Sequence, residues 1–446
     1  VSTATAADPA ETTAASTAAS DDRCRRGPRG GLLRGGLSIG AATLVASGAN
    51  YASNLVLGRG LEVDEFADAA LVVSGLLLLS AIALGLQLTI ARAIATGGGA
   101  SAARRLERRA VIVGAGSGAT VAMLSPVIAS RFNMASPTPL IVLGAGVPIF
   151  FSMATRRGVL QASHRFGQIA LSQVSEPVTR LAVTMFALSM GMGATSAAVG
   201  LVAAFAVGWL ASSPGALSLD ATETTTRQAR SAASATVLLL IGQVVIANGD
   251  LWVVAALIPS DAGSYAAVAL VGRLVFIAGW SIVTVVFPSL ASGSDEANGQ
   301  LLLKAVGAAA LAGGTLSVGA FVAGDRLIGA MVGDDYAAAG HLLGPYALAT
   351  TLFVVANLLA VSDLAAGLLL LPGIIAVGAI GQTVLLVLVA PRGITSIVYG
   401  QLVAMAALAI VLGTTTIMRG RWTSDNRATT RYAESHTAVA ADDVRS

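Results

Sequence analysis

Aromatic side chains make up only 5% of this chain and charged ones only 11%. Its one cysteine, Cys24, has no partner for an internal disulfide. Three histidines, His164, His341 and His436, lie far apart with no cysteine neighbours, so a metal site has no clustered ligands; each is expected to be structural or solvated. There is no Walker-type glycine loop, no nucleophile elbow and no HExxH, and the run Gly97-Gly98-Gly99 lacks the lysine and serine of a phosphate loop. No cofactor is expected, and short loops leave no room for a catalytic domain, so the chain reads as a non-enzyme. A nucleic-acid partner is not implied either, because the arginines sit in loops and no basic domain interleaved with aromatics exists.

What the chain has instead is hydrocarbon. Of 446 residues, 55% are hydrophobic, and the mean hydropathy is +0.78, a composition that belongs to an all-α membrane protein. Apolar runs of about 20 residues predict about twelve spans. They are Gly36 to Leu57, Ala69 to Ala95, Ala110 to Ser130, Pro139 to Thr155, Ile169 to Met190 and Ala194 to Ser213. The remaining six are Ala235 to Leu257, Ser264 to Leu290, Ala305 to Ala323, Leu342 to Ala360, Ala365 to Ala390 and Thr395 to Met418.

Arginine placement orients these spans. With the N-terminus cytoplasmic, the inner segments hold clusters such as Arg104, Arg105, Arg108 and Arg109, while the outer loops hold only Arg59, Arg131, Arg326 and Arg392. This positive-inside asymmetry predicts that both termini are cytoplasmic. The Ala/Ser/Thr-rich residues 1–33 are expected to be a disordered cytoplasmic tail. Their arginine run also fits an export signal, but the long first span, with many spans after it, favours an uncleaved helix. The expected divisions are a first lobe at 34–213 with spans one to six, a cytoplasmic linker at 214–232, a second lobe at 233–418 with spans seven to twelve, and a tail at 419–446.

The two-lobe division rests on a short repeat. Glu65-Phe66-Ala67-Asp68-Ala69-Ala70-Leu71-Val72-Val73 aligns without gaps on Ser264-Tyr265-Ala266-Ala267-Val268-Ala269-Leu270-Val271-Gly272. Two like-oriented halves of six spans place the substrate path between them. Prolines at Pro126, Pro148, Pro177, Pro288, Pro345 and Pro372 fall inside the expected spans, where they either accompany close glycine packing or supply bends for a transport cycle.

Charges inside the spans are the candidate site. Asp250 and Arg273 flank the turn Pro259-Ser260-Asp261-Ala262-Gly263 by about nine and ten residues, which puts both about 13 to 15 Å below one membrane surface, where they can meet. Glu176 and Arg180, four apart on the fifth span, share a helix face, and Arg180 is expected near the level of Arg273. Both pairs read in two ways: as neutral locks between helices, or as cavity groups whose arginines exchange partners with an anionic substrate. Asn248, Asn54 and Asn50 either bond sugar hydroxyls or bridge helices. Arg92 is expected to snorkel.

These residues carry a resemblance. The segment Asn50-Tyr51-Ala52-Ser53-Asn54-Leu55-Val56-Leu57-Gly58-Arg59, followed by Phe66 and the helix to Ala91-Arg92, resembles the start of polysaccharide flippases of the multidrug/oligosaccharidyl-lipid/polysaccharide exporter superfamily. So do Arg157-Gly158-Val159-Leu160-Gln161, Glu176-Pro177 with Arg180, Asn248-Gly249-Asp250, Gly263-Ser264-Tyr265-Ala266, Gly272-Arg273 and Phe287-Pro288. The resemblance implies twelve helices in two six-helix lobes around a V-shaped central cavity. It further implies a cell-envelope function: alternating-access translocation of lipid-linked oligosaccharide or polysaccharide precursors across the plasma membrane. The substrate-binding set would be Arg273, Arg180, Asp250, Glu176, Asn248 and Asn54, with Arg273 and Arg180 on the pyrophosphate. Membrane lipids and a coupling ion, H+ or Na+, are the other partners. The alternative is a cation/drug antiporter of the multidrug and toxin extrusion type, which wants an acidic cavity and would use Asp250 and Glu176 as titrating carboxylates.

Overall fold

The computed structural model describes residues 28–95, 100–213, 227–279, 281–282, 295–365 and 368–443. Cys24, the glycine run, most of the expected linker and Pro288 lie outside the described residues, as does the side chain of His436. Twelve helices follow in order. They are α1 (Pro28–Gly60), α2 (Val63–Ala95), α3 (Ala100–Arg131), α4 (Thr138–Ala162), α5 (Phe166–Ser189) and α6 (Thr195–Ala211), then α7 (Arg227–Leu257), α8 (Ala262–Gly272), α9 (Asp295–Met331), α10 (Leu343–Ala365), α11 (Leu370–Val389) and α12 (Ile394–Asp443). The chain is thus an all-α, multi-pass membrane protein. Among the described residues, nine helical stretches are long and apolar enough to cross a bilayer. α6, with 17 residues, is about 25 Å long and falls just short of a full core.

Several boundaries differ from those expected. α1 starts at Pro28, inside the segment expected to be disordered; proline suits a first helical turn, where its missing N–H costs nothing. α10 runs on to Ala365, past the break expected after Ala360. Asp363 therefore sits near its end, where it accepts two contacts from Arg419 Nη1 at 3.1 and 2.9 Å and one from the backbone N–H of Leu371 at 3.2 Å. Pro345 and Pro372 fall in the first turns of α10 and α11, where they open helices rather than bend them. Pro126, Pro148 and Pro177 are inside α3, α4 and α5 as expected.

Packing sorts the helices into two groups. α1 to α6 contact mainly one another, as do α7 to α12, and the groups meet chiefly where α2 runs along α7 and α8. Trp252 on α7 donates Nε1–H to Ser74 Oγ on α2 at 2.8 Å. The repeated segments open α2 at Val63 and α8 at Ala262, the same offset as in the sequence alignment. Their first turns touch: a Cβ on Gly263 would run into the carbonyl oxygen of Val63, so the approach requires glycine there. Further bonds cross between the groups at this end. Arg59 donates Nε–H to the Met331 carbonyl at 3.0 Å and Nη2 to that of Ala330. Asn133, held at φ 54°, donates Nδ2 to the Ala255 carbonyl at 3.3 Å. Phe66 meets Tyr336 edge to face with ring centroids 5.7 Å apart. The end of the bundle that carries the short α1–α2 and α7–α8 turns is closed.

Candidate substrate cavity

A cavity of about 310 Å³ lies below that closed end, walled by α2, α7, Arg273 and Phe276 just after α8, α10 and α12. Leu77, Ala81 and Leu84 of α2 face Leu240 of α7 and Phe353 of α10 across it. Phe276 and Phe353 stack with centroids 5.6 Å apart. Set into this apolar wall are Gln243, Asn248, Thr350, Gln401, the Tyr346 phenol and Arg273. Among the described lining residues, Arg273 is the one with a charged side chain.

Arg273 owes its place to a break that the continuous apolar run conceals. α8 stops at Gly272, and Arg273 is its C-cap, its N–H bonded to the Ala269 carbonyl at 3.0 Å. A cation there faces the negative end of the helix dipole. The break lies where α8 presses on α10: a Cβ on Gly272 would overlap the Tyr346 ring. The Arg273 side chain is 27% exposed; its guanidinium touches Asp250 Oδ1 through Nη2 at 3.4 Å and leaves Nε buried without a hydrogen-bond partner.

Asp250 itself is fully buried, at 0% exposure. Tyr265 and Tyr346 both donate their hydroxyls to Oδ2, at 2.9 and 3.0 Å, and the Tyr265 hydroxyl also lies 3.2 Å from Gln401 Oε1. The two rings meet edge to face, 6.1 Å apart. The expected meeting of Asp250 and Arg273 is thus found, with Oδ2 saturated and the arginine held on Oδ1 by a contact longer than the usual 2.7–2.9 Å of charge-assisted bonds. Asn248 lines the cavity, donates to the Val244 carbonyl at 3.0 Å and leaves Oδ1 unpartnered.

The other expected pair is not formed as read. Glu176 Oε2 takes Arg157 Nη2 of α4 at 2.7 Å, and Arg157 also donates Nε–H to Ser172 Oγ at 2.9 Å and Nη2 to the Ser172 carbonyl at 2.8 Å. Arg180, 5% exposed, points instead to α1, donating Nη1 to Asn50 Oδ1 at 3.0 Å and Nη2 to Asn54 Oδ1 at 2.7 Å. Helical spacing puts Glu176 and Arg180 on one face, but a neighbouring helix offers each a better partner. Arg180, Asn54 and Glu176 are not among the lining residues of the cavity that Arg273 enters, so the structure does not bring the two arginines together there.

Tyr346, Gln401 and Gln243 were not singled out in the sequence, and Tyr265 entered there only through the repeat and the resemblance, not as a site residue. Gln243 donates Nε2 to Asn357 Oδ1 and so ties α7 to α10 inside the wall. A signal for Tyr265 did exist: it precedes Arg273 by two helical turns and so shares its face. Tyr346 and Gln401 lie on distant spans, and nothing local ties them to Asp250.

Known proteins resemble the chain in fold and not in sequence. No protein-family model matches it, and no curated protein matches it in sequence. Among solved structures, an inward-facing multidrug resistance MATE family transporter of the MOP superfamily superposes with a TM-score of 0.65 at 14% identity, covering 86% of this chain and 98% of that one. The lipid II flippase MurJ, in an inward closed conformation, gives 0.66 at 12% identity, covering 85% and 87%. A MOP superfamily transporter from Pyrococcus furiosus, described by the reverse polarity of its binding pocket, gives 0.53 at 16% identity, covering 88% and 96%. The chain shares the fold of these transporters.

Proposed function

We propose that this chain is an alternating-access flippase for amphiphiles with an anionic headgroup, translocating lipid-linked oligosaccharide or polysaccharide precursors across the plasma membrane. In this reading 34–213 and 233–418 are the two moving lobes, both termini are cytoplasmic, and the closed end faces outward. The observation that carries it is the character of the cavity wall. A largely apolar surface suits a lipid portion, and its charged side chain, Arg273, offers the planar donor geometry that matches phosphate oxygens. Gln243, Asn248 and Thr350 supply neutral hydrogen-bonding groups beside it. The volume of about 310 Å³ is at the small end for ligand sites, enough for a headgroup in this closed form and too little for a polymer.

The cation/drug antiporter reading is the weaker one. It needs an accessible carboxylate, yet Asp250 is fully buried under two phenols and a guanidinium, and Glu176 is engaged by Arg157 away from the cavity. The test is transport in proteoliposomes of a fluorescent polyprenyl diphosphate against a lipophilic cationic dye. The flippase reading expects the anionic lipid to move and the dye not to. It further expects Arg273→Ala to abolish movement while leaving membrane insertion intact, and Arg273→Lys to restore it in part. Movement of the dye alone, or full activity in Arg273→Ala, overturns the reading.

A further inference from the structure

Four arginines gather at the end of α3 farthest from the closed mouth. Arg104, Arg105, Arg108 and Arg109 are all exposed, and helical geometry puts them within one sector of about 140°. Glu107, the acid among them, is turned to the other side, where it accepts Nε–H of Arg156 at 2.8 Å and the Ser152 hydroxyl at 2.9 Å. No side-chain hydrogen bond or ion pair joins any of the four arginines to another described residue. Such a pattern works against the helix. Arg104 with Arg108, and Arg105 with Arg109, are like charges at i,i+4, which destabilise it, and cations near a helix N-terminus meet the positive end of the dipole. The positive-inside bias needs only the number of arginines, whatever face they occupy. A shared face without carboxylates calls for anions from outside the chain.

That face looks into lipid. Further along α3 it continues as Ile112, Ala119, Met123 and Val127, all exposed, Ile112 at 60%. Ala110, Gly114, Gly118, Ser125 and Ala129 form the opposite, buried side. There Gly118 lies so close to α4 that a Cβ would strike the Gly144 carbonyl oxygen. Arg109 and Arg131 are 22 residues apart on this helix. That separation is about 33 Å, close to the roughly 30 Å of a hydrocarbon core. The quartet therefore sits at headgroup depth, beside the acyl chains that pack on Ile112.

We propose that this face of α3 is a binding site for anionic phospholipid of the surrounding bilayer. The four guanidinia hold the headgroup phosphates, and the acyl chains lie along Ile112 and Ala119. A guanidinium matches phosphate oxygens with paired N–H donors. Each arginine near an anionic membrane surface strengthens attachment about fivefold. α3 packs chiefly on α4, so lipid held here anchors the first helix group without bridging to the second. The site is independent of what the cavity beside Arg273 transports.

The experiment is site-resolved quenching of tryptophan fluorescence in the full chain, reconstituted with brominated phosphatidylglycerol or brominated phosphatidylcholine. Both leaflets carry the same lipid mixture, so the orientation of the chain in the vesicle does not matter. Ile112→Trp reports the proposed site. Val377→Trp, at a position 70% exposed on α11 with no basic residue between Ala365 and Ala390, reports ordinary lipid contact. The signal of the chain without the added tryptophan is subtracted. At position 112 phosphatidylglycerol should be preferred by at least about fivefold, and at position 377 by less than about twofold. Arg104→Gln combined with Arg108→Gln should cut the preference at position 112 by at least about fivefold, while Arg104→Lys with Arg108→Lys should keep it. A preference at position 112 no greater than that at position 377 overturns the proposal. So does one that the two glutamines leave unchanged, since other charges would then supply it. Should the glutamine variant fail to insert, the comparison between the two reporter positions decides alone.

Discussion

Arg59 at the end of α1 donates Nε–H to the carbonyl of Met331, the last residue of α9, across 3.0 Å. Helix C-termini leave carbonyls without intrahelical partners, and a cation placed there satisfies them while meeting the negative end of the dipole. Here cation and carbonyl belong to different packing groups, so the bond must break whenever that end of the bundle opens. Arg59→Ala should weaken closure by about 1 kcal/mol, the worth of one such bond. Thiol labelling of a cysteine placed at Thr350 in the cavity, with Cys24 replaced, should proceed about fivefold faster from the outer face than with Arg59 intact.

Gly263 tests the same closure through sterics. Any side chain there must displace the Val63 carbonyl, and overpacking a tight contact costs about 1–3 kcal/mol. Gly263→Val should shift the population away from the closed form. Pulsed electron–electron distance measurements between spin labels on the α1–α2 and α7–α8 turns should then broaden toward longer separations, while Gly299→Val, where nothing lies within 4 Å, should leave the distribution unchanged.

The partner of Glu176 can be settled by double-mutant cycles. The Arg157–Glu176 pair spans α4 and α5 at 2.7 Å, with side chains 13% and 23% exposed. Coupling between Glu176→Gln and Arg157→Gln should reach about 1–3 kcal/mol in thermal or denaturant unfolding, and coupling of Glu176→Gln to Arg180→Gln should stay below about 0.5 kcal/mol. The reverse order would restore the i,i+4 pair that the sequence suggests.

Arg180 joins α5 to α1 through two separate amide oxygens, Asn50 Oδ1 and Asn54 Oδ1. A lysine ammonium is a single point and cannot span both in the same plane. Arg180→Lys should destabilise the protein by about 1–2 kcal/mol, visible as a lower melting temperature, while binding of farnesyl diphosphate at Arg273 remains at its wild-type affinity.

The legible parts of the sequence were those governed by length and short loops. The twelve helices labelled among the described residues follow from runs of hydrocarbon, and Asp250 meets Arg273 because a short turn fixes both at one depth. Glu176 and Arg180 were misjudged by the same kind of counting. Their spacing is right for an isolated helix, but Arg157 arrives from α4 and Asn54 from α1, and a one-dimensional pattern does not contain those neighbours. The stretch Leu358 to Leu371 is apolar almost throughout, so hydropathy could not say where α10 stops; Asp363, which falls between the two expected spans, is clamped by Arg419 near the helix end. The interruption at Arg273 was hidden for the same reason. Tyr346 and Gln401, far along the chain, become part of the site only once α10 and α12 have packed.

The one-residue interruption at Arg273 marks off α8 as a segment of 11 residues, about 16 Å long, before the helical backbone resumes at 274. One tip leans on Val63 at the mouth of the bundle, and the other carries the guanidinium. Tilting such a segment by about 10° about its fixed tip swings the far one by about 3 Å, a hydrogen-bond length. In the proposed transport cycle, parting of the two helix groups at that end would shift Arg273 by an amount comparable with its 3.4 Å contact to Asp250.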